Sequence, residues 1–452
     1  MSDRRTPVGW RLNGTIGAKD RMSKESFDAM FRARMGQQHR HELLDRTPLD
    51  VIPMQYRSVP KNGDRLSALG FGAMRLPTRF GRIDEERAIR QIRGAIDRGV
   101  NYIDTAYPYH NGESEKLLAK ALADGYRERV FVADKLPPWL VKGRQDMDRI
   151  LDVQLKRLGT DHIDYYLLHS LEARSWKKLQ DLDVISFLED ARAAGKIRNI
   201  GFSFHGDRKT FREIVDAYDW TFCQIQYNYL DEEIQAGTEG LHYAASKGLA
   251  VMIMEPLRGG MLGRNVPDEV QAVYDDAGIA RSPAAWALRW VWDHPEVTVV
   301  LSGMNDEENI TENIATCEEA LPGAMTDAEH AVVERVAATY KAKIRVGCTG
   351  CAYCMPCPFG VNIPQCFASY NQYHMGGNRM MIRAFYIMQV IGFDDNPSNA
   401  SLCRKCGKCM KACPQGIAIP DELEKVSRDL DGLQTRLMKP LVKMMVTRQQ
   451  TE

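Results

Sequence analysis

The chain carries no net charge, because 60 lysines and arginines balance 60 aspartates and glutamates over its 452 residues. That balance provides no electrostatic footprint for nucleic acid or for an anionic membrane surface. No run of 18 apolar residues occurs, so no membrane-spanning helix is expected. The GxGxxG fingerprint is missing after the first predicted strand, which argues against a doubly wound dinucleotide fold. Cysteine is sparse outside two C-terminal runs: Cys223, Cys317 and Cys366 are the only others, and they make no disulfide framework. Arg4-Arg5 is followed by Thr-Pro-Val-Gly-Trp-Arg instead of an apolar stretch, so export is not expected. Reduced thiols fit a cytoplasmic protein.

What the chain does have is concentrated in those two runs. The first is Cys348-Thr-Gly-Cys351-Ala-Tyr-Cys354-Met-Pro-Cys357-Pro, and the second is Cys403-Arg-Lys-Cys406-Gly-Lys-Cys409-Met-Lys-Ala-Cys413-Pro. Three thiolates at this spacing wrap one face of an iron–sulfur cube, and a fourth before proline reaches a second cube. By that logic Cys348, Cys351, Cys354 and Cys413 hold one 4Fe–4S cluster, and Cys403, Cys406, Cys409 and Cys357 hold the other. The first run is one residue short before Cys357, which leaves Cys366 as an alternative ligand, although a buried thiol opening a helix suits it better. Zinc is the competing metal, but a zinc site needs four ligands and leaves the crowded extra cysteines without a purpose.

Residues 1–53 read as a polar N-terminal extension with a helix at Lys24–Arg34. From Gln55 the pattern changes. Tyr56–Val59 and Leu66–Leu69 flank Asn62-Gly63, a hairpin signal. Short apolar runs then alternate with amphipathic stretches: Leu69–Met74, Tyr102–Asp104, Val130–Ala133, Tyr165–His169, Ile197–Phe202, Phe222–Gln226, Leu249–Met254 and Thr298–Leu301. Helical patterns lie between, including Glu85–Arg98, Gln145–Leu158, Val184–Ala194 and Pro283–Asp293. Strict alternation implies parallel pairing with right-handed crossovers, and eight repeats imply a (β/α)8 TIM barrel. The expected domains are the extension 1–53, a barrel over 54–340, a small helical iron–sulfur domain over 341–422 and a helical tail over 423–452. Within the tail, Glu422–Met445 reads as one basic amphipathic helix packed on the barrel.

Chemistry in such a barrel collects where strands end. Asp104 ends the second strand, Lys135 the third and His169 the fourth, while Tyr109 follows five residues after Asp104. A buried lysine beside a tyrosine lowers the phenol pKa, and an aspartate keeps the lysine charged. Singly, each residue has an ordinary structural explanation, as an ion pair or a satisfied core histidine; four together at successive strand ends point to a site. Proximity alone leaves Tyr107 as a rival acid.

These residues resemble the aldo-keto reductase family, in the branch with a C-terminal ferredoxin-like domain. The resemblance rests on Leu-Gly-Phe-Gly-Ala-Met-Arg-Leu, on the order Asp104, Tyr109, Lys135, His169, and on Arg-Asn-Ile-Gly-Phe-Ser-Phe-His, Glu-Pro-Leu-Arg-Gly-Gly and Ser-Gly-Met…Glu-Asn. It covers 54–340 and the cysteine runs. It implies a catalytic tetrad with Tyr109 as the acid, and hydride exchange between NAD(H) or NADP(H) and a small carbonyl or alcohol. Gly72 and Met74, in the opening segment, are expected among the cofactor-binding residues. Ser203 and Gln224 would bind the carboxamide, Met254 would lie against the nicotinamide, and Pro256, Leu257, Gly303 and Met304 would face the pyrophosphate and adenosine. Asn309, Glu312 and Asn313 would lie near the adenine. Phe204 replaces a common asparagine. Relatives that favour the 2′-phosphate place cations where this chain has Gly303 and Asn309 beside Asp306, Glu307 and Glu308, so the unphosphorylated nucleotide is expected at least as well. Trp139, Tyr229 and Arg258 are expected around the substrate. Three functional readings follow: a redox enzyme whose two clusters relay electrons, with a protein such as a ferredoxin as partner; a carbonyl reductase braced by clusters; or an electron-transfer or sensing module without turnover.

Overall fold

The computed structural model describes residues 54–450, apart from Phe80, Asn265, Ala320, 349–353, Gly377, 393–396 and Pro414, and gives backbone alone for 443–450. The N-terminal extension with its expected helix at Lys24–Arg34, and Cys351, lie outside the described residues.

Eight parallel strands close a barrel in chain order: Leu69–Gly72 (β1), Tyr102–Asp104 (β2), Phe131–Leu136 (β3), Ile163–Leu171 (β4), Ile197–Phe204 (β5), Phe222–Gln226 (β6), Ala250–Met254 (β7) and Val297–Ser302 (β8). β8 pairs with β1 to complete the ring, Val300 opposite Leu69. Each expected strand is present. The third to fifth extend past their expected ends, to Leu136, Leu171 and Phe204, because their last residues still pair across the rim. β1 stops early: Ala73–Arg75 turns into a single 3-10 turn, which leaves Met74 exposed beyond the strand.

Helices between the strands follow local signals. Asp84 caps Glu85–Asp97 through the Arg87 amide, and Ala88, Ile92, Ala95 and Ile96 form its buried face. Arg144–Leu158 ends at Gly159 in the left-handed region (φ 63°). Ser282 caps Pro283–Trp292, whose proline occupies the first turn, where no amide is missed.

The barrel interior is solid. Tyr102, Tyr165, Leu167, Phe222, Met252 and Val299 pack together, and the hairpin of Tyr56–Ser58 with Arg65–Ser67 adds Val59 and Leu66 from below. The hairpin turn is longer than Asn62-Gly63 alone: Val59 and Asp64 close the loop, Gly63 sits at φ 78°, and Asp64 accepts a hydrogen bond from the Tyr165 hydroxyl. Close packing fixes Gly201 in β5, where a Cβ would lie 2.6 Å from the Phe222 carbonyl oxygen.

After the closing helix Asp327–Lys341 the chain builds a second, helical domain with its own core, which among the described residues includes Val361, Phe367, Tyr370, Tyr386, Leu423, Val426 and Leu430. The expected boundary at 422 therefore falls inside a helix, Ile419–Leu430, whose buried side belongs to this core. The tail is two helices where one was expected. Asp431 leaves helical geometry, Leu433–Gln450 starts anew after Gly432, and the second helix packs on Arg379–Tyr386, not on the barrel, with Arg383 bonding Thr435 (2.9 Å).

Candidate active site at the barrel rim

Strand register brings the predicted tetrad to one end of the barrel. Asp104 closes β2, Lys135 lies near the end of β3, and His169 lies near the end of β4. Tyr109 opens a short 3-10 turn, Tyr109–Gly112, directly beyond β2. Lys135 is 1% exposed; its Nζ donates to both Asp104 carboxylate oxygens (2.7 and 2.8 Å) and to the Thr105 carbonyl (2.6 Å). The same ammonium stands 5.0 Å from the Tyr109 ring centre, and the Tyr109 ring meets His169 edge-on at 6.1 Å. Tyr107 is engaged elsewhere: the Arg157 guanidinium covers its ring at 4.4 Å.

The electrostatics follow from burial. Desolvation lifts the Asp104 carboxyl against the pull of Lys135. It also works against the Lys135 ammonium, but Asp104 and Tyr109 outweigh it and leave that pKa raised. Desolvation raises the Tyr109 phenol as well, and Lys135 only moderates the rise. This corrects the expected lowering: Tyr109 stays protonated through neutral pH, the form required of a proton donor. His169 is driven well below its ordinary value by burial, then by Lys135 and His205, so its ring is neutral. Its Nδ1 has no hydrogen-bond partner.

A second group lines the rim beside the tetrad. Gln224, buried in β6 next to Ser203 of β5, has an Oε1 with no partner. The Ser203 hydroxyl accepts a bond from the Ser170 amide (2.7 Å), which pins a residue at φ 50°. A buried orphan acceptor carries a desolvation cost unless a donor arrives, and a carboxamide is such a donor. The residues present thus fit a nicotinamide. Met254 ends β7, half-buried, followed by Pro256 and Leu257. Gly72 pairs with Asp104 at the rim and Gly303 follows β8 exposed.

Other expected contacts are spent internally. The Met304 side chain is buried in the core. Asn313 donates to the Ser302 hydroxyl (3.0 Å), which fixes the strand end instead of facing outward. Asn309 and Glu312 are half-buried on the helix Glu307–Glu318. Phe204 packs on Phe211 at 5.0 Å, an ordinary core contact. Tyr229 is buried and bonds Tyr274 (3.2 Å), so it does not line the rim, whereas Trp139 stands over His169 at 5.2 Å. Arg258 pairs with buried Asp231 (3.3 Å) and reaches Met375 of the second domain.

Three features escape a reading by motif. Arg75 lies across the crevice: its stem covers Gly303, and its Nη1 donates to the Gly259 carbonyl (2.8 Å). His205 sits beside His169 with a pKa lowered by burial. Behind Lys135, Asp134 and Glu115 are fully buried; burial raises both carboxyls, and Glu115 raises Asp134 further. Glu115 Oε1 and Asp134 Oδ2 each lack a hydrogen-bond donor, a mismatch that one proton held between the two would relieve. Arg157 holds the other side of Glu115 (2.7 Å), and Asp134 accepts the Lys135 amide (2.7 Å). Only the unusual Asp before Lys135 hinted at this pair.

In the second domain Cys348, Cys354, Cys357, Cys403, Cys409 and Cys413 all border the small core. Burial raises the Cys409 thiol, and Cys403, Cys406 and Cys357 raise it further, so these four lie within electrostatic reach of one another. They are the four that spacing assigns to one cluster. The Lys405 amide donates to Cys403 Sγ (3.4 Å), as amides do around cluster sulfurs. Among the described residues no group of His, Cys, Asp or Glu converges closely enough for a single metal ion. Cys366 is sealed in the core, its thiol pushed up to about 12 by burial, which suits a structural thiol. No described helix is long and apolar enough to cross a membrane.

Comparison with known proteins agrees with this geometry. Residues 68–334 match the model of the aldo/keto reductase family, and 347–418 match that of a 4Fe-4S dicluster domain. L-galactose dehydrogenase of Arabidopsis thaliana is 27% identical over 289 residues, 60% of this chain and 90% of its own length. Aldo-keto reductase YhdN of Bacillus subtilis is 30% identical over 238 residues, 49% of this chain and 68% of its own. Among solved structures, an aldo-keto reductase from Klebsiella pneumoniae in complex with NADPH superimposes with a TM-score of 0.53 at 24% identity, covering 63% of this chain and 95% of that one. That likeness is one of fold.

The carboxyl pair has a measurable signature. Burial raises both pKa values above those of an unfolded chain, Asp134 strongly, so the folded state binds the extra proton more tightly. The stability this gives is complete below the ordinary carboxylate range and drains away as pH rises through the raised values. Lys135, Arg157 and Lys116 face the pair and limit the rise. Asp134→Asn can bond Glu115 without a shared proton. Its thermal midpoint should therefore fall less than the native one as pH rises from the ordinary carboxylate range through the raised values. Equal slopes would mean that no proton is shared.

Proposed function

We propose a reaction for a chain that belongs to the aldo/keto reductase family and is an oxidoreductase of carbonyl and alcohol substrates: reversible hydride transfer at the barrel rim, with Tyr109 as proton donor and two 4Fe–4S clusters exchanging electrons with a protein partner. The observation that carries it is the fully buried Lys135, bound to Asp104 and Thr105 beneath a protonated Tyr109. A bound nicotinamide nucleotide supplies or accepts the hydride. Gln224 and Ser203 orient its carboxamide. The substrate carbonyl oxygen lies between Tyr109 and His169, whose neutral ring and free Nδ1 align it. Tyr109 then gives its proton to that oxygen, and Lys135 stabilises the phenolate left behind. Asp104 keeps Lys135 charged throughout. Trp139 over His169 supports a substrate with a flat or apolar flank.

Replacing Tyr109 with Phe keeps the ring and removes the proton. Carbonyl reduction should fall by at least roughly 100-fold, the usual scale of lost general-acid catalysis. Full activity in that variant, with loss in Tyr107→Phe, would transfer the role.

The nucleotide preference rests on the loop after β8. Arg87 approaches it but is neutralised by Glu307 (2.5 Å) and Asp306 (3.6 Å), and Arg75 is committed to the Gly259 carbonyl. The unphosphorylated nucleotide should bind at least as tightly as the phosphorylated one. Anaerobic titration of both decides this; a clear preference for the 2′-phosphate that Arg75→Ala abolishes would reverse it.

The relay reading is supported by two complete cysteine sets on a domain that has a hydrophobic core of its own, so bracing is not the clusters' sole use. Anaerobic protein should contain about eight irons and eight sulfides. Cys366→Ala should leave that content unchanged and Cys357→Ala should lower it. Zinc, or about four irons, would defeat the two-cluster assignment.

A further inference from the structure

The two cysteine runs differ in what stands between their ligands. From Cys348 to Cys357 there is no charged residue. From Cys403 to Cys413, four of the seven intervening positions are cationic: Arg404, Lys405, Lys408 and Lys411. All four are exposed, in a chain whose net charge is zero. Lys405 pairs with Glu424 (2.7 Å); Arg404, Lys408 and Lys411 take part in no ion pair among the described residues.

The backbone explains how these charges surround a thiol. Lys405 (φ 52°) and Gly407 (φ 73°) are both left-handed, so the chain turns on either side of one cysteine. Cys406 lies between them and is the one exposed cysteine among the described residues, while Cys403 and Cys409 border the core. Met410, 47% exposed, adds an apolar contact beside Lys411. The loop thus presents an exposed cysteine, one soft apolar side chain and three cations without an ion pair among the described residues.

We propose that this loop, 403–413, is the docking surface for an acidic one-electron carrier protein, which exchanges electrons with the cluster held by Cys403, Cys406, Cys409 and Cys357. The proposal rests on the relay reading above and assigns it one face of the molecule. Electron-transfer encounters bury little area and depend on complementary charge for their rate. A cationic ring around an exposed ligand meets that need, because it steers an acidic partner to the point where the distance to the cluster is shortest. In each encounter one electron passes from the reduced carrier to the oxidised cluster. The carrier is left oxidised and the cluster reduced by one electron; no bond forms or breaks. The run 348–357 has no such steering field.

The test uses the holoprotein under anaerobic conditions. A reduced plant-type 2Fe–2S ferredoxin of strongly acidic sequence is mixed with it in a stopped-flow instrument, and a basic cytochrome c serves as the opposite probe. Ferredoxin oxidation should be fast at low salt and slow steeply as salt is added. In Lys408→Glu/Lys411→Glu the second-order rate constant should fall at least about tenfold. Iron content and nicotinamide-linked carbonyl reduction should stay as in the native protein. If charge reversal costs iron, Lys408→Gln/Lys411→Gln replaces it, with a smaller loss of rate in the same direction. An unchanged rate and salt dependence in an iron-replete variant would overturn the docking surface while leaving the relay intact, as would oxidation of the dithionite-reduced holoprotein by oxidised cytochrome c that slows in the same way as salt is added. Exchange with neither carrier, in protein whose clusters dithionite reduces, would defeat the relay reading and the docking surface with it.

Discussion

Everything at the rim depends on one buried ion pair. Lys135 and Asp104 are both nearly inaccessible, and removing two such charges from water costs several kcal/mol before any attraction is counted. As a stabilising device the pair is a poor choice; an apolar pair of similar volume would serve the barrel as well or better. Its geometry explains its retention better. Three oxygens from the end of β2 surround one nitrogen from β3, so the position of that nitrogen, and of the phenol above it, is determined to within the tolerance of hydrogen bonds. On the proposed reaction, the pair fixes where acidity is delivered.

Behind it stands a second electrostatic layer of opposite character. Glu115 and Asp134 are two buried carboxyls whose pKa values burial raises, so the pair favours holding a proton over separating charges. Together the two layers place a cation between a carboxylate in front and a carboxyl pair behind. A lysine so enclosed cannot readily lose its proton, whatever Tyr109 does during turnover.

Much of this was legible in the sequence because the barrel repeats one local rule eight times. Each strand is a short apolar run and each helix a capped amphipathic stretch, so errors in one element do not spread to the next. Rim residues were legible for the same reason, since a strand end is a position in a pattern. What remained hidden depends on contacts between distant segments. Asn313 looks like a nucleotide ligand until Ser302 is placed beside it. Tyr107 rivals Tyr109 until Arg157, fifty residues away, covers its ring. The Tyr109 phenol was expected to be lowered by its lysine, but the amount of burial, which no local pattern records, outweighs that charge. In the C-terminal domain cysteine spacing identified the chemistry, while the break at Asp431–Gly432 was hidden by a continuous amphipathic pattern on either side.

The packed barrel interior has a consequence for proton supply. Tyr102, Tyr165 and Phe222 fill the space below the ion pair with no exposed atom of consequence, and the hairpin residues Val59 and Leu66 seal the far end. The described side chains therefore leave the rim as the open approach to the ion pair. On the proposed reaction, the proton that returns to Tyr109 enters by that rim, the face by which ligands also enter. Replenishment would then fall in the interval between one occupant leaving and the next arriving, which ties the recharging of the acid to the rhythm of ligand exchange.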